Sequence, residues 1–560
     1  MVVTPAQLRE LILAAKLMET KAFDDAAKFA EETGHSLFTT LEERGLATNE
    51  QLGRLEAGFL KLPFVILSKT PISEEVFNTV PERLARKLRV VVFARDTSGV
   101  KLAMANPFQK EIPEMVAKKT GLKVEIYYAT KTDIQNCLQL FKRDLQKSVD
   151  ILLAEDIGRA PGTTEDPPVA KIVDLLLDTA YEEKASDVHI EPQEDHSIVR
   201  FRLDGMLHSV LRINKHLHDR IITRIKVLSN LRTDEHLSAQ DGKMKVLMSE
   251  DRLDIRVSIV PIAEGEKVVM RLLSSKASQF TLSDLGMSQS DLDKVNRAFG
   301  KSFGMILSTG PTGSGKTTSI YSILKIINTP EKNITTVEDP VEYRILGANQ
   351  IQVNTKTDLT FANGLRSILR QDPNIIFVGE IRDSETAGIA VNAALTGHLV
   401  LSTLHTNDAA TALPRLTDMK VEPFLVASTV TVIIAQRLVR KNCQHCKVAT
   451  KVSLDELAKN FPADVIKRNF SKTSTVTIYK GQGCKICRSS GYSGRVGLFE
   501  VLEITPQIRK LIVGKADSDV IAKTAIGEGM ATMIDDGLTK IAQGVTTLEE
   551  VLRVTKAEFV

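Results

Sequence analysis

The stretch "GMILSTGPTGSGKTTSIYSILKIIN", residues 304–328, decides the reading of the fold. Gly310, Gly315, Lys316 and Thr317 fit GxxxxGK[ST]; the apolar run Met305 to Leu307 precedes the loop, and Ile320, Ile323, Leu324 and Ile327 follow it at helical spacing. Strand, tight loop and helix in that order make a clamp for phosphate. Glycines let backbone N–H groups close around the anion, and the helix amino terminus adds partial positive charge. A nucleoside triphosphate is therefore expected along Gly310, Pro311, Thr312, Gly313, Ser314, Gly315, Lys316, Thr317 and Thr318. Lys316 would reach the β and γ phosphates and the Thr317 hydroxyl would meet Mg²⁺.

Outward from the clamp, three more apolar runs finish in polar residues: "NITTVEDPVE" (333–342), "NIIFVGEIRD" (374–383) and "HLVLSTLHTND" (398–408). With the clamp strand they imply four buried parallel strands, and ligand chemistry in such sheets gathers at the carboxyl ends. Glu338 and Asp339 end one strand, Glu380 ends another, and His398 and His405 bracket a third. Hydrolysis needs a group to orient water and a metal site, and these residues are the candidates. Taken as residues alone, each histidine is more often a satisfied structural group than an active one.

A chain of 560 residues should hold three or so domains, each with its own core. A net charge of +3 with 26% charged residues gives no electrostatic support for a nucleic-acid partner. No segment has the order of a signal peptide and no window approaches 18 consecutive apolar residues, so a cytoplasmic protein is expected, with any membrane role peripheral.

Five cysteines fall at 137, 443, 446, 484 and 487. Cys137 reads as a core thiol. The other four form "CQHC" and "CKIC", and two CxxC pairs in a reducing compartment suit tetrahedral Zn²⁺ better than disulfides. Four protein ligands leave no position for water, so the zinc would be structural, with a small subdomain looping out between the pairs.

Before the clamp, "GRAPGTTEDPPV" (158–169) reads as a linker. The chain upstream of it is mainly helical in pattern, with a strand-like "KLRVVVFARD" and "VKLAMAN". Downstream, "SIVRFRLDG" alternates Ile198, Arg200 and Arg202 against Val199, Phe201 and Leu203. "RLDIRVSIV" does the same with Arg252, Asp254 and Arg256 against Leu253, Ile255 and Val257. Arginines on one sheet face are either a solvated surface or phosphate ligands, and a guanidinium on a γ-phosphate under attack is worth roughly 10³ to 10⁵ in rate.

These motifs together resemble the secretion ATPases of type II secretion and type IV pilus assembly, over about residues 140–560. "GPTGSGKTT" matches that family's Walker A, "TTVEDPVE" its aspartate box, "RQDPNIIFVGEIRD" its Walker B, "TGHLVLSTLHTND" its histidine box and "CQHC…CKIC" its tetracysteine site. Related retraction ATPases usually lack the zinc insertion and the long amino-terminal domain, which favours the assembly or secretion branch. The resemblance implies an α/β fold: a RecA-like P-loop ATPase core at 286–560 with the tetracysteine insertion at about 443–487, preceded by a PAS-like α+β domain at 169–285. A linker at 151–168 and a small helical/α+β amino-terminal domain at 1–150 complete it. It further implies a homo-hexamer acting at the cytoplasmic face of the inner membrane through a platform protein and an adaptor, with ATP, Mg²⁺ and structural Zn²⁺. Glu338 would be the base or water-polarising group and Glu380 part of the Mg²⁺ and water network, although both end strands beside the same phosphate and could exchange roles. His398 and His405 would belong to an interface that senses nucleotide state, and Arg200, Arg202 and Arg256 would be arginine fingers, which requires a ring if they serve a neighbour's clamp.

The amino-terminal stretch "SLFTTLEERGLATNEQLGRLEAGFLKLPFVIL" resembles a module that in some members binds cyclic di-GMP through "RLGxxL". Aligned on Gly45, this chain has Ser36 for the arginine and Phe38 for the glycine, so partner docking without the dinucleotide is expected. Two rival readings remain for the whole chain. One is a RecA-like motor on nucleic acid, against which the near-neutral charge counts. The other is a nucleotide-gated scaffold, which would need neither glutamates nor paired arginines.

Overall fold

Two compact units, Met1–Asp144 and Leu145–Val560, make up the chain in the computed structural model. The structure describes all residues except 1–2, 16, 21–22, 25, 28–29, 31–36, 44–45, 68–69, 71, 78, 97–98, 141–144, 158–167, 249–251, 275–280, 471–474, 485–486 and 556–560. In the first unit, Thr4 and Thr48 open helices Pro5–Ala14 and Asn49–Leu60 with reciprocal capping boxes to Gln7 and Gln51. Leu8, Ile12, Leu41 and Leu52 form the core beneath them. Beyond lies a sheet of β1 (Val90–Asp96), β2 (Gly99–Met104) and β3 (Val124–Tyr128); β1 and β2 are antiparallel, β2 and β3 parallel. Cys137 is enclosed in this sheet's core, and that burial pushes its thiol up to about 12.

The second unit begins earlier than the expected linker. Leu145–Ile157 is a helix, and Leu145, Val149, Leu152 and Leu153 pack with the helix Val169–Glu182 in one core. Their spacing makes an amphipathic stripe, so residues 151–157 are helix and not linker. The rest of the linker reading, 158–167, lies outside the described residues. A fully antiparallel six-stranded sheet follows: β4 (Asp187–Pro192), β5 (His196–Leu203), β6 (Met206–Asn214), β7 (Gln240–Leu247), β8 (Arg252–Ile262) and β9 (Gly265–Ser274), in the order β6-β5-β4-β9-β8-β7. Val199, Phe201, Ile255 and Val257 bury one face under helices Val169–Glu182 and Lys215–Leu228, which turns Arg200, Arg202 and Arg256 to the other.

The larger sheet contains β10 (Gly304–Thr309), β11 (Ile334–Glu338), β12 (Ala348–Gln352), β13 (Ile375–Val378), β14 (Leu399–Leu404) and β15 (Val430–Asn442). After these come the hairpin β16 (Lys447–Ser453) and β17 (Thr475–Gly481), then β18 (Tyr492–Glu503). Sheet order is β12-β11-β13-β14-β10-β15-β18, parallel up to β15 and antiparallel at β18. The four expected strands therefore lie side by side, with β14 inserted between β10 and β13 in the RecA-like manner. Ile306, Leu307, Val400, Leu401, Ile433 and Ile434 are wholly buried. Burial of each is worth about 1.5–3 kcal/mol, so the sheet fixes where the strands' polar ends come out. The β16–β17 hairpin and helices Leu454–Ala458 and Ala463–Phe470 form the subdomain between the cysteine pairs.

Candidate active site

At the carboxyl end of β10 the chain turns through Gly310 (φ 146°), Gly313 (φ 79°) and Gly315 (φ 92°) into the helix Lys316–Ile327. A Cβ on Gly310 would sit 2.5 Å from the Gln436 carbonyl and 2.6 Å from Ser314 Oγ, so the loop closes only with glycine there. Gln436, on β15, donates to the Ser314 carbonyl at 2.8 Å and pins the loop from below. Lys316, only 8% exposed, donates to the carbonyls of Gly310 (2.8 Å) and Pro311 (3.1 Å). Burial pushes its pKa down, and the nearby Glu380 carboxylate opposes that shift. Ser314 Oγ is buried with no partner among the described residues, the kind of orphaned polar atom that a phosphate oxygen would satisfy. With the glycine cradle and Thr317 on the first helical turn, the residues fit a triphosphate with Mg²⁺.

Threonines hold the neighbouring strand ends in line. Thr309 Oγ1 donates to the Thr406 carbonyl at 2.9 Å, linking β10 to the end of β14, and Thr403 Oγ1 donates to the Gly379 carbonyl at 2.7 Å, linking β14 to β13. Glu380, just past β13, pairs with His405 Nε2 at 3.0 Å and with Arg382. One strand further out, Glu338 is 2% exposed. Its carboxylate accepts from Thr336 (2.7 Å), Gln350 (3.1 Å) and the Tyr321 hydroxyl. Burial raises its pKa against those bonds.

The structure thus brings Lys316, Glu380 and His405 together, with Glu338 joined to the same helix through Tyr321. His398 stands apart: it precedes β14, its Nδ1 lies 3.0 Å from the Ala393 carbonyl, and a full strand of about 20 Å separates it from His405. Arg200 is held by Glu191 (2.7 Å) and Arg202 by Asp187 (3.3 Å). Asp187, opposite Arg202 in register, also holds Arg271. Arg256 reaches the aspartate-box segment of its own chain, donating to the Val341 carbonyl at 2.7 Å and pairing with Glu342 at 3.2 Å.

Sequence reasoning passed over Tyr321, Gln350, Gln436 and the threonines. Gln436 had a signal, a lone amide inside the apolar run "TVTVIIAQRLV". Also unforeseen is a cavity of about 150 Å³ beside Gly313, lined by Asp204, Gly205, Met206, Leu438, Arg440, Arg495 and Arg553.

The four cysteines come together at one end of the β15–β18 pair. Their sulfurs lie within 4.8 Å of one another, with separations of 3.8 Å (Cys443 to Cys484), 3.8 Å (Cys446 to Cys487) and 3.6 Å (Cys484 to Cys487). A Zn–S bond of about 2.3 Å gives a tetrahedron edge near ~3.8 Å, and a disulfide would need about 2.05 Å. The set fits a tetrahedral metal ion.

Residues 162–553 match the family model described as "Type II/IV secretion system protein" and residues 60–147 match the MshEN domain. The type IV pilus assembly ATPase PilB of Myxococcus xanthus is 36% identical over 563 residues, 98% of each chain. The type II secretion system protein HxcR of Pseudomonas aeruginosa is 46% identical over 438 residues, 78% of this chain and 86% of its own. Among solved structures, the ATPase DotB of Legionella pneumophila overlays 71% of this chain and 98% of its own at TM-score 0.52 and 22% identity, which shows the fold. The expectation that the amino-terminal module leaves cyclic di-GMP unbound finds no support in its match to the MshEN domain. It was argued from Ser36 and Phe38, outside the matched 60–147; Ser36 lies outside the described residues, and Phe38 packs on the helical core. Among the described residues, no helix is long and apolar enough to cross a membrane.

Proposed function

The chain belongs to the type II/IV secretion system protein family, and from that membership we propose a homo-hexameric motor that converts ATP hydrolysis into domain motion. Its work would be filament assembly, a type IV pilus or a type II secretion pseudopilus, at the cytoplasmic face of an inner membrane. Within the family it is an ATPase that uses ATP and Mg²⁺; the ring, the motion, the platform and adaptor partners and the address are the proposal. So is the division of labour. Residues 1–150 dock a partner, the PAS-like part at 169–285 carries the arginine fingers, and 286–560 performs the chemistry.

Loop N–H groups and Lys316 bind the phosphates, and the cavity beside Gly313 receives the nucleoside. Thr317 and Glu380 would hold Mg²⁺, which supplies charge neutralisation at the phosphate oxygens. Glu338 takes the proton of the attacking water, a role supported by a pKa that burial raises toward the range of a working base. Arg200, Arg202 and Arg256 close over the γ-phosphate of a neighbouring subunit and open on its release. His405 follows the state of Glu380 directly and His398 only through β14. Cys443, Cys446, Cys484 and Cys487 would hold Zn²⁺ as a tetrahedral tie with no open position for chemistry.

The observation that carries this reading is the alignment of Lys316, Glu380 and His405 at adjoining strand ends. Phosphate release by zinc-loaded, oligomeric protein tests it. Wild type should turn over ATP with Mg²⁺, and Lys316→Ala should lose about 100-fold or more. Equal, negligible rates from both would leave the nucleotide-gated scaffold, and stimulation by DNA that fades with salt would favour the nucleic-acid motor.

A further inference from the structure

Arg488 follows directly on Cys487, and its guanidinium donates to Glu183 at the end of the helix Val169–Glu182, in the domain that precedes the ATPase core. The Glu183 side chain is 5% exposed, and its other oxygen, Oε2, is buried without a partner among the described residues. Six residues after Arg488, the Gly494 N–H donates to the Asp204 carboxylate at 2.7 Å, in the turn between β5 and β6. These two contacts join the β15–β18 pair to the six-stranded domain, and both spring from the chain just after the second cysteine pair.

The aim of Arg488 is set by the cysteine knuckle. Arg488 (φ 49°) and Ser489 (φ 60°) both hold left-handed backbone, unfavourable for residues with a Cβ. Cross-links within the knuckle hold them there. Cys487 Sγ accepts from the Cys484 N–H at 3.1 Å and the Gly491 N–H at 3.3 Å, and the Ser489 N–H donates to the Cys484 carbonyl at 2.9 Å. Gly481 and Gly491 cross so closely that a Cβ on Gly481 would lie 2.0 Å from the Gly491 carbonyl oxygen. Sulfurs held together thus keep two strained residues, and one guanidinium, in place.

From the same knuckle, β15 runs back to the phosphate loop, where Gln436 binds Ser314. On the way β15 and β18 contribute Leu438, Arg440 and Arg495 to the cavity beside Gly313, whose opposite wall is the Asp204–Met206 turn. His208, on β6, feels this convergence: burial lowers its pKa, and the guanidinium groups of Arg488 and Arg440 lower it further.

We propose that the tetracysteine knuckle is an interdomain clasp: by aiming Arg488 at buried Glu183 it holds the Asp204–Met206 turn over the nucleotide cavity, and so sets nucleotide affinity. This rests on the reading of the phosphate loop as the nucleotide site. The test uses the full chain with its zinc content measured, and reads affinity for a fluorescent ATP analogue by anisotropy. Arg488→Ala and Glu183→Gln should each keep one zinc per chain, weaken binding about tenfold and, combined, weaken it no more than either alone. Chelating the metal from wild type should reproduce the loss, and chelating it from Arg488→Ala should add little. Arg488→Lys, which keeps the charge but not the fork, serves as the second variant if the alanine form does not fold, with partial loss expected. Undiminished affinity in zinc-loaded Arg488→Ala, or losses that multiply in the double variant, would overturn the clasp alone. Wild type that binds no ATP analogue would overturn the nucleotide-site reading together with it.

Discussion

Glu338 sits where burial and hydrogen bonding pull a carboxyl group in opposite directions. Burial raises its pKa, while the bonds from Thr336, Tyr321 and Gln350 lower it. Removing one of those donors must raise the pKa further, so in Tyr321→Phe the acid limb of the kcat profile should move to higher pH. A profile that stays put would shift the base to Glu380. Glu338→Gln should keep ATP binding and lower turnover by about 100-fold or more; the pair of measurements is analogue anisotropy and steady-state phosphate release. "TTVEDPVE" made the strand-end glutamate legible, because a carboxylate closing an apolar run is visible along the chain. Its donors were not. Tyr321 reads as one more apolar residue of the helix, and Gln350 lies twelve residues downstream on a strand brought alongside only by parallel pairing.

Among elements, the β15–β18 pair depends on the last helix, Leu548–Thr555. Glu550 accepts from the Arg440 backbone N–H at 2.9 Å, from its guanidinium at 2.7 Å and from Arg553 at 2.8 Å. Burial alone would raise its pKa, but Arg553 and Arg440 prevail and hold it at about 2. Because the folded value lies below the ordinary 4.5, this stabilisation is present above about pH 4.5 and is lost as pH falls toward 2. Glu550→Gln should therefore lower stability at neutral pH by about 2 kcal/mol and flatten the acid dependence over that window, as read by thermal unfolding across a pH series. Helix spacing in "TLEEVLRVT" marks the amphipathic helix. That its Glu550 caps a strand amide 110 residues earlier follows only from the packing.

For the whole molecule, the question is which chain's phosphates the arginines meet. Arg200 and Arg202 are paired within their own sheet, and Arg256 reaches the aspartate-box segment of its own chain. If they act on a neighbour, subunits with Arg200, Arg202 and Arg256 all changed to Ala should be inactive alone. Mixed with inactive Lys316→Ala subunits they should recover part of the turnover, since some interfaces then combine an intact loop with intact arginines. No recovery at any mixing ratio would confine the arginines to their own subunit. The sequence by itself determined the phosphate loop, the parallel strands, the arginine-bearing sheet face and the two cysteine pairs. Each is written in residues a few positions apart, where backbone geometry and side-chain period act without help from distant chain. Tertiary structure alone decided the strand order that sets Glu380 and His405 beside Lys316, the carboxylates that hold the arginines, the donors that enclose Glu338 and the reach of Arg488 to Glu183. Those contacts join residues separated by tens to hundreds of positions, and only the burial of a common core selects which of them meet.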